Sequence, residues 1–140
     1  MPVHFFTEEI SFNLEKPSLY SSWVQSIIEN HNAKPGDINY IFCSDDYLLK
    51  INQKHLDHDY YTDIVTFDHS ENETQIDADI FISIDRVREN ALTGNAEFSN
   101  ELSRVMAHGL LHLLGYSDKT ASEKKVMREK EEACISLQKK

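Results

Sequence analysis

The chain has 140 residues, of which 14 are Lys or Arg and 24 are Asp or Glu, so its formal net charge is −10. This length predicts one domain with a core large enough to need no disulfides. Only 4 glycines and 3 prolines, with 40% hydrophobic residues, exclude collagen-like filaments and intrinsic disorder. The acidic balance argues against a broad cationic face for nucleic acid or an anionic membrane, although it leaves room for a local one.

The same sequence argues against membrane insertion and export. No apolar run reaches the roughly 20 residues that a membrane helix needs, and residues 1–14 lack the basic start of a signal peptide. Cys43 and Cys134 match no metal-binding or redox spacing. We therefore expect a cytoplasmic protein with two reduced, inert thiols and no membrane partner.

The predicted elements alternate between strands and helices. The first part of the chain is predicted to form a strand at 3–6, a helix at 18–32, a turn at Pro35-Gly36, a strand at 38–43 and a helix at 44–55. An exposed loop at 56–61 leads to a strand at 62–67, an acidic loop at 68–77 and a strand at 78–84. Three helices follow, at 85–94, from Ser99 to Gly115, and at 121–137. This order predicts an α+β fold, a single domain over residues 1–140 in which about five helices cover a small mixed four-stranded β-sheet.

Helix ends are predicted from residues that favour caps. Ser18, Ser44, Asp85 and Ser99 are the predicted N-caps. Gly115 is predicted as the left-handed residue that ends the helix from Ser99. The buried stripe of that helix is predicted to comprise Leu102, Val105, Met106, Leu110 and Leu113.

The segment from His108 to Asp118, HGLLHLLGYSD, carries the chemistry. His108 and His112 are four residues apart and share one helix face, so both can reach one metal ion. A turn at Gly115 can bring Asp118 back as a third ligand. The spacing resembles the H-E-x-x-H-x-x-G-x-x-H pattern of zinc proteases, and three such ligands leave a fourth position open for water. A zincin-like metal helix is thus predicted, with the catalytic groups unknown apart from that water.

Other interpretations of these residues stay open. Two histidines at this spacing can also be core or cap residues, and Asp118 can be a solvated loop residue or cap the last helix. The Glu that serves zinc proteases as general base is replaced by Gly109, which argues against peptide hydrolysis.

The same segment resembles the H-G-x-L-H-L-x-G-Y-D-H signature of the YbeY family of bacterial endoribonucleases. Residues 62–67 (TDIVTF) and 78–83 (ADIFIS) are similar to its T-D-V-L-S-F and G-D-I-x-I strands. Glu101-Leu102 matches its E-L before the metal helix. Its E-x-x-x-M-x-x-x-E helix is matched by Glu123, Met127 and Glu131.

The resemblance implies a cytoplasmic, zinc-dependent, single-strand-specific endoribonuclease in 16S rRNA 3′-end maturation and ribosome quality control. Its implied partners are rRNA or a ribosomal particle, with ribosomal proteins, and neither DNA nor a membrane. It implies His108 and His112 as metal ligands. A site of imidazole and carboxylate suits Zn²⁺, and also Ni²⁺ or Fe²⁺.

The chain departs from the family pattern at two places. Asp118 stands where the family has its third His, which lowers the charge of the loaded site from +2 to about +1. His55-Leu56 stands where the family has Tyr-Arg, so a guanidinium that could grip phosphate is missing. Substitutes for that guanidinium could be Arg86, Arg88 or Arg104, although a surface charge or a local salt bridge is the more common role of such residues.

The leading hypothesis is metal-assisted phosphodiester cleavage, with either water or the RNA 2′-hydroxyl as nucleophile. The titratable side chains that could transfer protons are His55, His58 and His69, which can equally be solvated. The alternative hypothesis is a non-catalytic ribosome-assembly factor with a structural metal site.

The net charge is unevenly divided. Residues 1–118 carry −13 and residues 119–140 carry +3. Lys124, Lys125 and Arg128 could bind RNA phosphates beside the metal, or simply form the solvated face of a helix.

Overall fold

The structure is a computed structural model that describes residues 3–56 and 61–138. Within these two ranges, nine elements follow one another: β1 (Val3–Glu8), α1 (Pro17–Asn30), β2 (Lys34–Cys43), α2 (Asp45–Leu56), β3 (Ile64–Asp68), β4 (Gln75–Ser83), α3 (Ile84–Thr93), α4 (Phe98–Leu113) and α5 (Ala121–Ser136). The predicted α+β fold with a mixed four-stranded sheet and five helices is confirmed. Most of the predicted loop at 56–61 lies outside the described residues.

The sheet has the strand order β1-β2-β4-β3. β1, β2 and β4 are parallel, and β3 is an edge strand antiparallel to β4. Parallel neighbours need a crossover, which α1 supplies between β1 and β2. Alternate residues of the central strands, Ile38, Tyr40, Ile80 and Ile82 among them, are fully buried on the face that α1 and α4 cover.

Two apolar clusters hold the layers together. The larger one joins the sheet to α1, α3, α4 and α5. Within it, Tyr40 Oη donates to the Met106 carbonyl at 3.2 Å, and Trp23 Nε1 donates to the Cys134 carbonyl at 2.7 Å. The smaller cluster lies on the other face of the sheet, where Leu48 of α2 packs with Cys43 and Val65.

Several predicted helix ends and turns are wrong, for local reasons. α1 begins after Lys16 with Pro17 in its first turn, so Ser18 is not its cap. The N-cap of α3 is Ser83, whose hydroxyl accepts the Arg86 amide at 3.1 Å, while Asp85 accepts the Asp45 amide.

The start of the metal helix and one turn were also misplaced. α4 begins at Phe98 after Glu97, so Ser99 already lies inside it. Pro35-Gly36 lies within β2, at an irregularity in its pairing with β4, instead of in a turn. β4 begins at Gln75, so the acidic loop is shorter than the predicted range of 68–77.

The predictions for Ser44 and the two cysteines are confirmed. Ser44 Oγ accepts the Tyr47 amide at 3.1 Å at the start of α2. Cys43 and Cys134 are buried and unbridged, and burial raises their thiol pKa values to about 12 and about 11. No helix within the described ranges is long and apolar enough to cross a lipid bilayer.

The contact that seats α4 on the sheet is at Gly109. A Cβ at this position would lie 2.8 Å from Ile64 Cδ1, 3.3 Å from Thr66 Cγ2 and 3.4 Å from Ile80 Cγ2. Glycine therefore allows α4 to approach β3 and β4 more closely than another residue would. A side chain here would point into the packed sheet, so the position of the zinc-protease Glu is closed in this fold.

We expect Gly109→Val to lower the free energy of unfolding by about 1–3 kcal/mol, because its γ-methyls overpack the contact with β3. Gly109→Ala is the matched control: its methyl meets chiefly the free end of Ile64, and the gain in helix propensity of about 1 kcal/mol offsets that contact. Urea denaturation of the metal-free proteins measures both changes. A valine variant as stable as the alanine variant would contradict this packing.

Candidate metal centre

The last two turns of α4 carry two half-buried imidazoles on one face. The Nε2 atoms of His108 and His112 lie 3.0 Å apart. α4 ends directly after them because Gly115 adopts a φ of +105°, as predicted. The amides of Gly115 and Tyr116 donate to the carbonyls of His112 and Leu111, which completes a Schellman motif and reverses the chain.

Asp118 lies on the short connection between this turn and α5. The start of α5 is fixed by a capping box, in which Thr120 and Glu123 each accept the other's backbone amide. The connection is thus anchored at both ends. It places Asp118 Oδ2 3.3 Å from His108 Nε2 and 3.5 Å from His112 Nε2. The structure therefore brings all three predicted site residues together.

Both imidazoles are held through their other nitrogen. His108 Nδ1 lies 2.7 Å from the Glu131 carboxylate, and His112 Nδ1 lies 3.1 Å from the Tyr116 carbonyl. Because a carbonyl and an ionised carboxylate only accept hydrogen bonds, each Nδ1 carries the hydrogen and donates it. In the neutral ring, each Nε2 then keeps a free lone pair, and the two lone pairs point toward each other and toward Asp118.

This donor set fits a divalent cation. Three ligand atoms at about 2.0–2.1 Å from one Zn²⁺, at tetrahedral angles, lie roughly 3.4 Å from one another. The three separations here are 3.0, 3.3 and 3.5 Å. Among the described parts of the chain, His108, His112 and Asp118 are the group of His, Cys, Asp and Glu side chains that could hold a metal ion. Two lone pairs and one carboxylate facing each other repel unless a positive charge lies between them.

The environment of His108 is strongly acidic. Burial alone would lower the pKa of His108, but the hydrogen bond and the negative charge of Glu131 outweigh it, so the pKa is raised. The positive charge of Arg104 lies beside the negative charge of Glu131, since its guanidinium is 3.3 Å from the second carboxylate oxygen of Glu131. The same guanidinium also pairs with Glu132.

Asp63 and Glu101 extend the acidic environment toward the edge of the sheet. Burial raises the pKa of the Asp63 carboxyl, the nearby charge of Glu131 adds to this effect, and His108 and the local backbone amides oppose it. Burial also raises the pKa of Glu101, against Arg104 and Arg128. Partial burial therefore makes both carboxyl groups less acidic, and the charge of Asp63 acts directly on His108.

The structure does not bring the other candidate histidines to this site. His69 pairs with Asp79 at 3.1 Å on the face of the sheet opposite α4. His55 of α2 packs its ring edge-on against Phe67, in the second apolar cluster. His58 lies outside the described residues.

Each candidate arginine has a local partner. Arg86 forms an ion pair with Asp45 at 2.7 Å, and the Arg88 guanidinium lies 5.9 Å from the centre of the Phe98 ring. Arg104 pairs with Glu131 and Glu132. These contacts agree with the interpretation of each arginine as locally paired.

The comparisons with known proteins agree with the site. A family model described as Endoribonuclease YbeY matches residues 5–138. An Endoribonuclease YbeY from Cytophaga hutchinsonii is 50% identical over 137 residues, covering 98% of this chain and 96% of that protein. One from Flavobacterium psychrophilum is 48% identical over 132 residues, covering 94% of each.

This chain belongs to the YbeY family. The resemblance inferred from the HGLLHLLGYSD segment and its flanking motifs is thereby confirmed. The YbeY fold also agrees with the solution structure of TM1509 from Thermotoga maritima, which matches with a TM-score of 0.66 and 26% identity over 96% of this chain and 87% of that one.

Sequence reasoning missed the groups that hold the ligands. Glu131 was recognised only as part of a YbeY helix motif, although its spacing from the buried Met127 and Cys134 already indicates an acid on the inner face of α5. Asp63 was recognised only within its strand motif. The Tyr116 carbonyl carries no side-chain signal and follows from the Gly115 turn alone.

The raised pKa of Asp63 predicts a pH-dependent stability. The Asp63 carboxyl binds its proton more tightly in the folded protein than in the unfolded chain. The stability that this proton contributes is therefore complete below the ordinary carboxyl pKa, and it is lost as the pH rises through the pKa of Asp63 in the folded protein. At pH 7 the partly desolvated carboxylate thus opposes folding. We expect metal-free Asp63→Asn to melt at a higher temperature than wild type at pH 7, with the difference vanishing toward about pH 4.

Thermal unfolding followed by circular dichroism at several pH values measures this difference. Asp79→Asn is the matched control, since it removes a carboxylate on the opposite face of the sheet. An Asp63→Asn variant that is less stable than wild type at pH 7, or whose advantage is independent of pH, would contradict the assignment.

Proposed function

We propose that this chain is a metal-dependent endoribonuclease that cleaves single-stranded rRNA, acts in 16S rRNA 3′-end maturation and ribosome quality control, and works in the cytoplasm. The observation that carries the proposal is the convergence of the free Nε2 atoms of His108 and His112 on Asp118 in a member of the YbeY family. The named activity of the relatives supports RNA phosphodiester hydrolysis as the reaction.

The proposed metal is one Zn²⁺ held by His108, His112 and Asp118. Two imidazole nitrogens and one carboxylate oxygen are ligands typical of catalytic zinc, with Ni²⁺ and Fe²⁺ compatible with the same set. When bound, such a cation acts as a Lewis acid on a phosphodiester oxygen and acidifies water. The single anionic ligand, Asp118, leaves the loaded centre with a net charge of about +1, enough to attract a phosphate.

The protein's own residues orient the reacting groups. Glu131 and the Tyr116 carbonyl fix the two imidazoles. The side chains of His108, His112 and Asp118 are about a quarter to a third exposed, so a phosphate can reach them from solvent. A flexible single strand can adapt its backbone to such partly buried groups more easily than a rigid A-form duplex does.

Two nucleophiles are compatible with this arrangement. RNA supplies its own 2′-hydroxyl, whose attack would form a 2′,3′-cyclic phosphate and would restrict the enzyme to RNA over DNA. Attack by water would leave no cyclic product. The closed position at Gly109 argues against the peptide hydrolysis of related zinc sites, since no side chain there can activate water.

The charge of α5 supports a restricted RNA-binding surface. Lys124, Lys125 and Arg128 are exposed on the helix that also provides Glu131. The Lys130 ammonium lies 5.7 Å from the centre of the Tyr116 ring, directly beside the metal turn. With −13 on residues 1–118, this surface favours a particular target, such as rRNA in a ribosomal particle with its ribosomal proteins, over indiscriminate nucleic-acid binding.

A second function is a non-catalytic ribosome-assembly factor with a structural metal. It is favoured by the local ion pairs that engage Arg86 and Arg104, and by Leu56 at the position of the family's Arg.

An RNA cleavage assay separates the two functions. We expect wild-type protein loaded with Zn²⁺ to cut single-stranded rRNA fragments, and we expect His112→Ala to lose at least about 100-fold in rate, because one of three ligands is lost. His69→Ala is the matched control, since it removes an exposed histidine on the far face, and we expect wild-type activity from it.

Metal content by mass spectrometry and folding by circular dichroism accompany each variant. Cleavage by the metal-free or His112→Ala protein at the wild-type rate would overturn the enzymatic proposal. Stoichiometric metal without any cleavage would favour the assembly factor instead.

A further inference from the structure

Glu131 is an unusual residue for the inside of a small protein. Its side chain is 9% exposed. Among the described residues that are buried, it is the one with an acidic side chain. A buried carboxylate without partners costs several kcal/mol. The contacts of Glu131 must therefore account for its presence on the inner face of α5.

The two carboxylate oxygens have different partners on the same helix. Oε2 accepts from His108 Nδ1 at 2.7 Å, and Oε1 accepts from the Arg104 guanidinium at 3.3 Å. Arg104 and His108 are one turn apart on α4, so the carboxylate spans that turn. Arg104 also binds Glu132, which is the next residue on α5 and does not contact His108.

We propose that Glu131 is a positioning residue for metal binding: it orients the His108 ring with Nε2 toward the cation and strengthens that nitrogen as a ligand, while Arg104 holds the Glu131 carboxylate in place. The proposal rests on the metal centre of the proposed function. A carboxylate behind a metal-ligating imidazole fixes the tautomer of the ring and raises its basicity.

The charges around the proposed metal explain why Glu131 is paired with Arg104. The loaded centre already contains one anionic ligand, Asp118. A second carboxylate alone would reduce its net positive charge further, and Arg104, which Glu131 shares with the exposed Glu132, offsets part of that charge. The pair thus orients His108 through a charge-assisted hydrogen bond and limits the negative charge added to the centre. His112, in contrast, is held only by the neutral Tyr116 carbonyl.

A role in packing alone predicts a different mutational result. Glu131→Gln preserves the size of the side chain, but both neighbours donate hydrogen bonds, and a glutamine has one accepting oxygen. Its amide group must then face either His108 or Arg104, donor against donor. If Glu131 only fills space, this exchange leaves metal binding unchanged. If it positions His108, the exchange weakens metal binding even in a folded protein.

The experiment measures Zn²⁺ affinity by competition with a chromogenic chelator for wild type, Glu131→Gln and the matched control Glu132→Gln. The control removes the other carboxylate partner of Arg104 but leaves the contact with His108 in place. We expect Glu131→Gln to bind Zn²⁺ about 10–100-fold more weakly than wild type, and Glu132→Gln to stay within about twofold of it, as expected for an exposed ion pair.

Visible absorption of the Co²⁺-loaded proteins reports the ligand geometry independently of activity. We expect the d–d bands to shift in Glu131→Gln and to be unchanged in Glu132→Gln. Melting temperatures of the metal-free proteins show whether each variant is folded. Should Glu131→Gln not fold, Arg104→Met keeps the carboxylate but removes its clamp, and we expect at least a threefold loss of Zn²⁺ affinity.

The outcomes separate the two proposals. A folded Glu131→Gln protein with wild-type Zn²⁺ affinity and Co²⁺ spectrum would overturn the positioning role and leave the metal centre intact. Wild-type affinity in Arg104→Met would do the same if that variant has to be used. A wild-type protein that binds neither Zn²⁺ nor Co²⁺ would overturn both the metal centre and the role of Glu131.

Discussion

The close packing at Gly109 sets how near α4, the helix that carries His108 and His112, lies to the sheet. Because no side chain separates the helix from Ile64 and Ile80, α4 is seated directly on β3 and β4. Its buried stripe faces the core, and His108 and His112 are left on the flank that faces α5. The same contact closes the position from which related zinc enzymes supply their general base.

Two different groups hold the two imidazoles of the site. The Schellman turn at Gly115 presents the Tyr116 carbonyl to His112 and carries Asp118 back toward both rings. α5 then packs on α4 and brings Glu131 behind His108. Backbone geometry orients one ligand and a buried ion pair orients the other. The carboxyl groups around them favour a cation in the space between the three ligand atoms.

Local sequence patterns predicted the fold and the proximity of His108, His112 and Asp118, because both depend on short-range regularities. Alternating β-branched residues, helical spacing and one glycine at a helix end were sufficient for the α+β fold and for the turn that returns Asp118. The N-caps of α3 and α4 were wrong because competing polar residues lie within two or three positions, and tertiary contacts decide between them: Ser83 caps α3, while Asp85 binds the Asp45 amide.

The groups around the ligands could not be predicted in the same way, because they come from distant parts of the chain. Glu131 is 23 residues from His108, and its burial depends on how α5 packs. Arg104 was considered as a phosphate ligand, since its charge is visible in sequence and its partner is not. The family comparison confirms the resemblance, while the roles of His108, His112 and Asp118 stay predictions.

A crystal structure of the Zn²⁺-loaded protein, with anomalous diffraction recorded on both sides of the zinc edge, tests the central claim most directly. The account predicts one zinc peak about 2.0–2.2 Å from His108 Nε2, His112 Nε2 and a carboxylate oxygen of Asp118, with Glu131 still bound to His108 Nδ1. A zinc ion bound through Nδ1 of either ring, or a peak elsewhere with this site free of metal, would contradict it.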